Sequence, residues 1–436
     1  MTTTFILGAG VTGLAAAHAS RLPAFEAEAQ PGGICSSYYM RPGDDRRSHV
    51  APELNDGYRF EIGGGHWIFG GEPAALELMR KLAPMRSYQR RSSVYLPDRE
   101  LFVPYPIQNH LRFLRPAERD AALDEILNGP QAEPPRTMAE WIDVNFGHTL
   151  AALFFHPFHE LYTAGLWKRI APQDPYKSPL DKAAVREGAS NEVELVGYNT
   201  SFLYPEDGLD ALARALATGL DVRYGARVES IDPNAKTILL TDGSSVQYDS
   251  ILTTLPLNRM LGMTALTVDS REDPYTSVLV INIGGRRGER CPDDHWVYVP
   301  QSQTGFHRVG FYSNVDPSFV PATYRDAVTH VSIYVEMAFV GGTKPSADEI
   351  VRLCRATVAE LGSWGWIDDA EVVDPTWIDV AYTWSWPGST WVQDAIAKLE
   401  SVDIYPVGRY ARWIFQGIAD SIRDGTTAGE GLANRG

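Results

Sequence analysis

The sequence predicts an α/β fold in which a parallel-sheet domain receives two insertions, one largely helical and one a mixed, antiparallel β-sheet. Three observations predict it. A glycine-rich turn, Gly8-Ala-Gly10-Val-Thr-Gly13, joins a short apolar strand to an alanine-rich helix near the start of the 436-residue chain. An aromatic-rich stretch with helical periodicity runs from about Pro73 to Trp167. Strand-like segments then return in two blocks, one from Leu220 onward and one from about Thr276 to Val380.

Taken in order, Thr3–Gly8 reads as a buried strand, Leu14–Arg21 as a helix that Pro23 ends, and Ala24–Ala27 as a second strand. Ala117–Leu127 and Thr137–Phe146 carry helical periodicity. Asp221–Tyr224, Val228–Ile231, Thr237–Thr241 and Ser250–Thr254 read as strands. In the second block Ser277–Gly284 has the length of a buried strand, and Ser346–Leu361 is the one interrupting helix. The closing thirty residues return to a glycine-containing loop and a helix start. This order makes residues 1–72, 204–275 and 405–436 one discontinuous domain. Residues 73–203 and 276–404 then form the two substrate domains.

Composition is that of a globular protein, with 44% hydrophobic and 22% charged residues. A net charge of −16 excludes a nucleic-acid binder, which needs a basic face to neutralise phosphates. The three cysteines (Cys35, Cys291, Cys354) are too far apart for a metal site, and their scarcity speaks for a reducing compartment. No basic n-region leads into an apolar run at the start, and no apolar run reaches the ~18–20 residues of a membrane span. A cytoplasmic protein is therefore expected, and homo-oligomerisation is left open. His156 and His159 stand at helical spacing, but Pro157 intervenes and no third ligand is apparent, so no metal is expected.

The chemistry starts at the first turn. In Gly8-x-Gly10-x-x-Gly13, Gly8 permits the tight turn, Gly10 lets backbone approach a pyrophosphate and Gly13 lets the helix pack on the sheet. The helix N-terminus offers N–H donors to the phosphates. Glu26, at the end of the second strand, is placed to bind ribose hydroxyls. Pro31-Gly32-Gly33 follows at a distance that favours FAD over NAD, which makes this a Rossmann-type FAD-binding domain. Glu61-Ile-Gly63-Gly64-Gly65-His66 is a second glycine loop, able to lie flat against a planar ring; Gly64, Gly65 and His66 are expected beside the flavin. Val228, on the strand before the Leu255-Pro256 crossover, is expected to offer backbone to the adenine.

Further motifs are more specific. Val103-Pro104-Tyr105-Pro106-Ile107-Gln108-Asn109, Asn199-Thr-Ser-Phe-Leu-Tyr-Pro205, Trp296-Val-Tyr298-Val-Pro300 with Phe306-His-Arg308, and Gly408-Arg409-Tyr410 together make the chain resemble the UDP-galactopyranose mutase family, nearer its eukaryotic type. The family lies within the FAD-dependent amine oxidase and protoporphyrinogen oxidase superfamily. The resemblance runs from Phe5 to about Gly425. It implies that Tyr105 and Gln108 contact uracil, with Arg91 upstream, and that Asn199, Tyr298 and Arg308 reach the diphosphate sugar. Trp296 would wall a sugar or base. Gly408 and Arg409 return to the flavin, and Asp420 and Ser421 are expected there too.

The implied reaction is an isomerisation: reduced FAD attacks the anomeric carbon of a nucleotide sugar through N5, and ring opening and closure exchange pyranose for furanose. NAD(P)H or another reductant would reduce the flavin. His66 and Arg308 are the residues implied to act in catalysis. Three departures from the family stand out. Trp386-Pro387 replaces a Tyr-Pro, and Phe415 replaces the tyrosine of a Trp-x-Tyr triplet, both tyrosines being diphosphate contacts. The second family arginine has no clear equivalent, Lys182 and Arg186 being the nearest candidates. The main rival is an FAD-dependent oxidoreductase of the protoporphyrinogen or amine oxidase type; a flavin-binding protein without catalysis is the third reading.

Overall fold

A computed structural model describes residues 3–129, 133–172, 180–193 and 200–433. Five parallel strands form the first sheet, in the order Ile404–Pro406, Ser250–Thr253, Thr4–Leu7, Ala24–Phe25 and Val222–Arg223. Three distant stretches of chain therefore meet in one sheet, with Ile6 and Leu7 fully buried at its centre.

The first helix spans Val11–Ser20 and is buried from Val11 to Ala17. It begins straight after Gly10, three residues earlier than expected. It ends where Arg21 turns left-handed (φ 61°), two residues before Pro23. Its alanine content has a packing cause. The C-terminal helix Ile418–Ala433 lies so close that a Cβ on Gly425 would stand 2.2 Å from the Thr12 carbonyl, and one on Gly429 2.4 Å from that of Ala16.

Seven strands form the mixed sheet, in the order Ile367–Thr383, Tyr275–Arg287, His330–Val340, Arg308–Phe311, Trp296–Tyr298, Ser92–Leu96 and Leu101–Pro104. The last two come from the stretch expected to be largely helical. Ser92–Leu96 is buried throughout and pairs in parallel with Trp296–Tyr298. Met85–Gln89 is also a strand, paired with Ser201–Pro205. The helices proper are Pro73–Leu82, Pro116–Asn128, Met138–Leu150, a turn of wider helix over Ala151–Phe155, His156–Tyr162 and Lys182–Gly188. Thr137 and Glu140 close a reciprocal cap on the third of these. In the β-rich block Ser346 caps the helix Ala347–Ser363, accepting from the Glu349 N–H.

Register across the mixed sheet decides what faces the first domain. Tyr298 pairs with Arg308, Arg308 with Glu336, and Glu336 with Val280. One pleat along, Trp296, Gly310, Tyr334 and Asn282 form the neighbouring row. Side chains two apart on a strand share a face, so both rows point the same way, over the glycine loop 61–66.

Candidate functional site

A cavity of about 380 Å³ lies between the carboxyl ends of the parallel strands and this face of the mixed sheet. Gly8, Gly10, Glu26, Gly32, Gly33, Gly65, His66, Arg308, Arg409, Phe415 and Ser421 all line it. Among the expected residues these are the ones brought together.

Two glycines of the first turn separate packing from binding. A Cβ on Gly13 would stand 1.9 Å from the Gly8 carbonyl oxygen, so this glycine serves the contact between helix and turn. A Cβ on Gly10 would meet no protein atom within 4 Å, yet Gly10 lines the cavity. The space above it is open to something other than protein. Gly10 is also the N-cap, and no side chain caps the helix there. The first-turn N–H groups and the helix dipole are thus left for an anion. At the end of the next strand Glu26 is buried, accepting from the Ala9 N–H at 2.7 Å and the Glu28 N–H at 2.9 Å. Burial pushes its carboxyl up, and those N–H groups hold it back. A carboxylate with two fixed acceptors and lone pairs to spare suits a ribose diol. Open space, uncapped donors and this acid fit a dinucleotide.

The second glycine loop is pressed between cavity and sheet. A Cβ on Gly65 would fall 2.0 Å from the Tyr334 hydroxyl. Below it Glu61 is fully buried, accepting from Ser37 at 2.9 Å and from Tyr204, while its own carbonyl accepts from Asn282 at 3.0 Å. His66 Nδ1 is 3.3 Å from the Gly64 carbonyl. Burial, reinforced by the Arg409 guanidinium, lowers its imidazole to about 4, which keeps it neutral near pH 7. Arg409 is itself oriented by the carbonyls of Gln416 (3.0 Å) and Ala381 (3.3 Å) and lies 4.8 Å from the Phe415 ring.

The sheet contributes a charge pair that sequence reasoning missed. Arg308 Nη2 donates to both Glu336 oxygens, at 2.5 and 2.6 Å, with the carboxylate only 3% exposed. Burial alone would raise the Glu336 carboxyl; Arg308, helped by His307, outweighs it and holds the group at about 2. The pair is therefore ionised and neutral overall. Arg308 keeps a buried Nε without a partner, a donor still available to a ligand. The Tyr382 hydroxyl, also missed, lies 3.5 Å from both members. From there half-buried aromatics run in file: Tyr382 to Tyr162 (4.9 Å), Tyr162 to Phe158 (5.4 Å), Phe158 to Tyr298 (5.4 Å) and Tyr298 to Tyr105 (4.6 Å). A periodicity argument assigns such residues to a core, and nothing in the sequence signals that two domains share them.

Other expected residues sit elsewhere. Arg91 is exposed and donates to the Asn314 carbonyl at 3.1 Å, away from Tyr105. Its neighbour Arg90 is buried and donates to the Tyr105 carbonyl at 3.0 Å. Strand alternation exchanges the two roles. Gln108 is buried in the short turn Ile107–Asn109. Trp296 packs in the core against Phe69 and Phe202 rather than walling the cavity. Gly64 and Gly408 back the cavity without lining it, Gly408 lying against Thr12. Val228 is not at the cavity wall, although its strand starts two residues after Ala226, whose N–H donates to the Glu26 carbonyl. Asp420 turns outward, accepting from the Gly417 N–H and pairing with Arg423. The Trp386 indole N–H donates to the Glu272 carbonyl at 2.9 Å, and the ring is off the cavity. Lys182 donates to the Leu127 carbonyl and Arg186 is exposed, so neither is placed as a second phosphate arginine. Asn199 lies outside the described residues. His156 pairs with Asp143 and His159 with the Phe155 carbonyl, and the described residues hold no cluster able to bind a metal. No helix among them is long and apolar enough to cross a membrane.

Comparisons with known proteins agree with this architecture. A family model described as flavin containing amine oxidoreductase matches residues 14–409. The fold is similar to that of a reduced UDP-galactopyranose mutase, with a TM-score of 0.83 at 23% identity over 100% of this chain and 96% of the other. A putative protoporphyrinogen oxidase from Exiguobacterium sp. 255-15 gives 0.69 at 14% identity over 99% of both chains. A putrescine oxidase bound to putrescine gives 0.58 at 15% identity over 100% of this chain and 99% of that one.

Proposed function

We propose that this chain, which belongs to the flavin-containing amine oxidoreductase family, is an FAD-dependent mutase, interconverting the pyranose and furanose forms of a nucleotide-diphosphate sugar with reduced flavin. The observation that carries this reading is the file of half-buried aromatics from Tyr382 to Tyr105, which starts at the cavity and leads away from it over the mixed sheet. A small amine needs no such track, whereas a nucleotide sugar needs ring faces along its whole length.

Reduced FAD, when bound, supplies a nucleophilic ring nitrogen for the anomeric carbon of the sugar. The turn at Gly10 would hold its pyrophosphate and Glu26 its ribose. The loop 63–66 would lie against the ring, with Arg409 providing positive charge for a reduced, electron-rich flavin. A neutral His66 can hydrogen-bond the cofactor without adding charge. Arg308 Nε and the Tyr382 hydroxyl would orient the sugar, and Tyr105 and Gln108 the base. The protein's part is to position reactants and exclude water.

Dithionite-reduced protein should convert one nucleotide sugar of a panel to its ring isomer, read by product NMR, with reductant needed only in catalytic amount. Consumption of an electron acceptor at every turnover, with no isomer formed, would replace this reading with the oxidoreductase. His66→Ala and Arg308→Ala should each slow ring exchange; unchanged exchange in both would remove these residues from the chemistry.

A further inference from the structure

A nucleotide diphosphate brings about two negative charges to a protein of net charge −16, and the cationic group expected to meet them is already neutralised. Both Glu336 oxygens take Arg308 Nη2 in a buried pair. Phe415 and Trp386, standing where the family has tyrosines, offer no hydroxyl. Trp386 brings a different resource. Its indole N–H is fixed to the Glu272 carbonyl and its backbone N–H to Asp273, so the ring is held in place. Arg271 lies 3.9 Å from the ring centroid and Arg169 5.7 Å from it. Both are exposed, and neither guanidinium makes a close ion pair or side-chain hydrogen bond among the described residues, Asp273 acting on Arg271 only through space. Most other arginines in this acid-rich chain have found a carboxylate or a carbonyl. Trp386 rests on the same buried cluster, Trp384 and Trp167 among its members, against which the five aromatics of the file pack.

We propose that Arg169 and Arg271, carried on Trp386, form the diphosphate clamp of this enzyme, taking over the charge that Arg308 cannot supply. The inference rests on the nucleotide-sugar reading above. A guanidinium stacked on an indole keeps its in-plane donors free, and that fork matches phosphate oxygens. Two arginines spread by one ring can each take one phosphate. Arg308 is left to donate to the sugar.

The test is calorimetric titration of the flavin-loaded protein with UDP, pyrophosphate and uridine. Arg169→Ala and Arg271→Ala are at exposed sites and should leave the fold and flavin content intact. Each should weaken UDP binding about tenfold, and the double variant should lose most of the salt dependence. Uridine, which has no phosphate, should bind all variants alike. UDP binding unchanged in the double variant overturns the clamp and leaves the mutase reading standing. A wild-type protein that binds pyrophosphate but no nucleoside diphosphate, with that binding lost in the double variant, supports the clamp and overturns the nucleotide-sugar reading. Failure to bind any of the three probes overturns both.

Discussion

Replacing Glu336 tests the buried ion pair of the site. The carboxylate is 3% exposed and receives Arg308 at 2.5 and 2.6 Å. Its carboxyl is held at about 2 against an ordinary 4.5, with burial opposing and Arg308 prevailing. That displacement corresponds to about 3 kcal/mol, and the burial leaves little water to screen it. Removing one partner of a buried ion pair costs about 3–5 kcal/mol by an independent route, because the other charge is left uncompensated. Glu336→Gln keeps one acceptor oxygen and should therefore lose about 3 kcal/mol, read as a fall in the urea midpoint by tryptophan fluorescence. Arg308→Met/Glu336→Met should recover most of that loss, since paired apolar replacements leave no charge behind. The pH dependence has a definite sign. A depressed carboxyl contributes stability that is present above about pH 4.5 and lost as pH falls toward 2, and Glu336→Gln should flatten that part of the curve. Freed of its counter-ion, Arg308 should also bind pyrophosphate more tightly in Glu336→Gln than in wild type. A midpoint unmoved in Glu336→Gln, or a double variant as unstable as the single, would refute the account of a buried, ionised, mutually neutralising pair.

Three further predictions follow from local geometry. Gly10→Ala should fold with stability within about 1 kcal/mol of wild type but lose bound flavin, measured by its absorbance, whereas Gly13→Ala should cost about 1–3 kcal/mol or more, because its Cβ meets the Gly8 carbonyl. Arg90→Met should cost about 1–3 kcal/mol and weaken uridine binding, whereas exposed Arg91→Ala should stay within about 0.5 kcal/mol; equal effects would undo the exchange of roles assigned to them. His66 should titrate at about 4 by NMR, so its depressed imidazole contributes stability present above the ordinary 6.5 and lost as pH falls toward 4. A midpoint near 6.5 would show that neither burial nor Arg409 acts on it.

What the sequence by itself determined is the local chemistry. Strand, turn and helix around Gly8–Gly13 are set by residues within hydrogen-bonding reach along the chain, and so is the placing of Glu26 at the next strand end. The boundaries moved by a few residues because the αL turn at Arg21 and packing on the C-terminal helix, not Pro23, decide where the first helix stops. The Ser92–Leu96 segment reads as part of a helical region because it lacks polar alternation: it is buried on both faces and sits between its hairpin partner Leu101–Pro104 and a strand more than two hundred residues away. The tertiary structure decided which side chain of an adjacent pair turns inward, as with buried Arg90 and exposed Arg91. It also decided that Glu336 neutralises Arg308, through a cross-strand pairing 28 residues apart. Net charge in a site is a property of neighbours in space, and a linear motif lists only neighbours in the chain. For that reason Gly10 and Glu26 could be placed at a cofactor from the sequence, while the partner of Arg308 and the two arginines beside Trp386 became visible only once the sheets were packed.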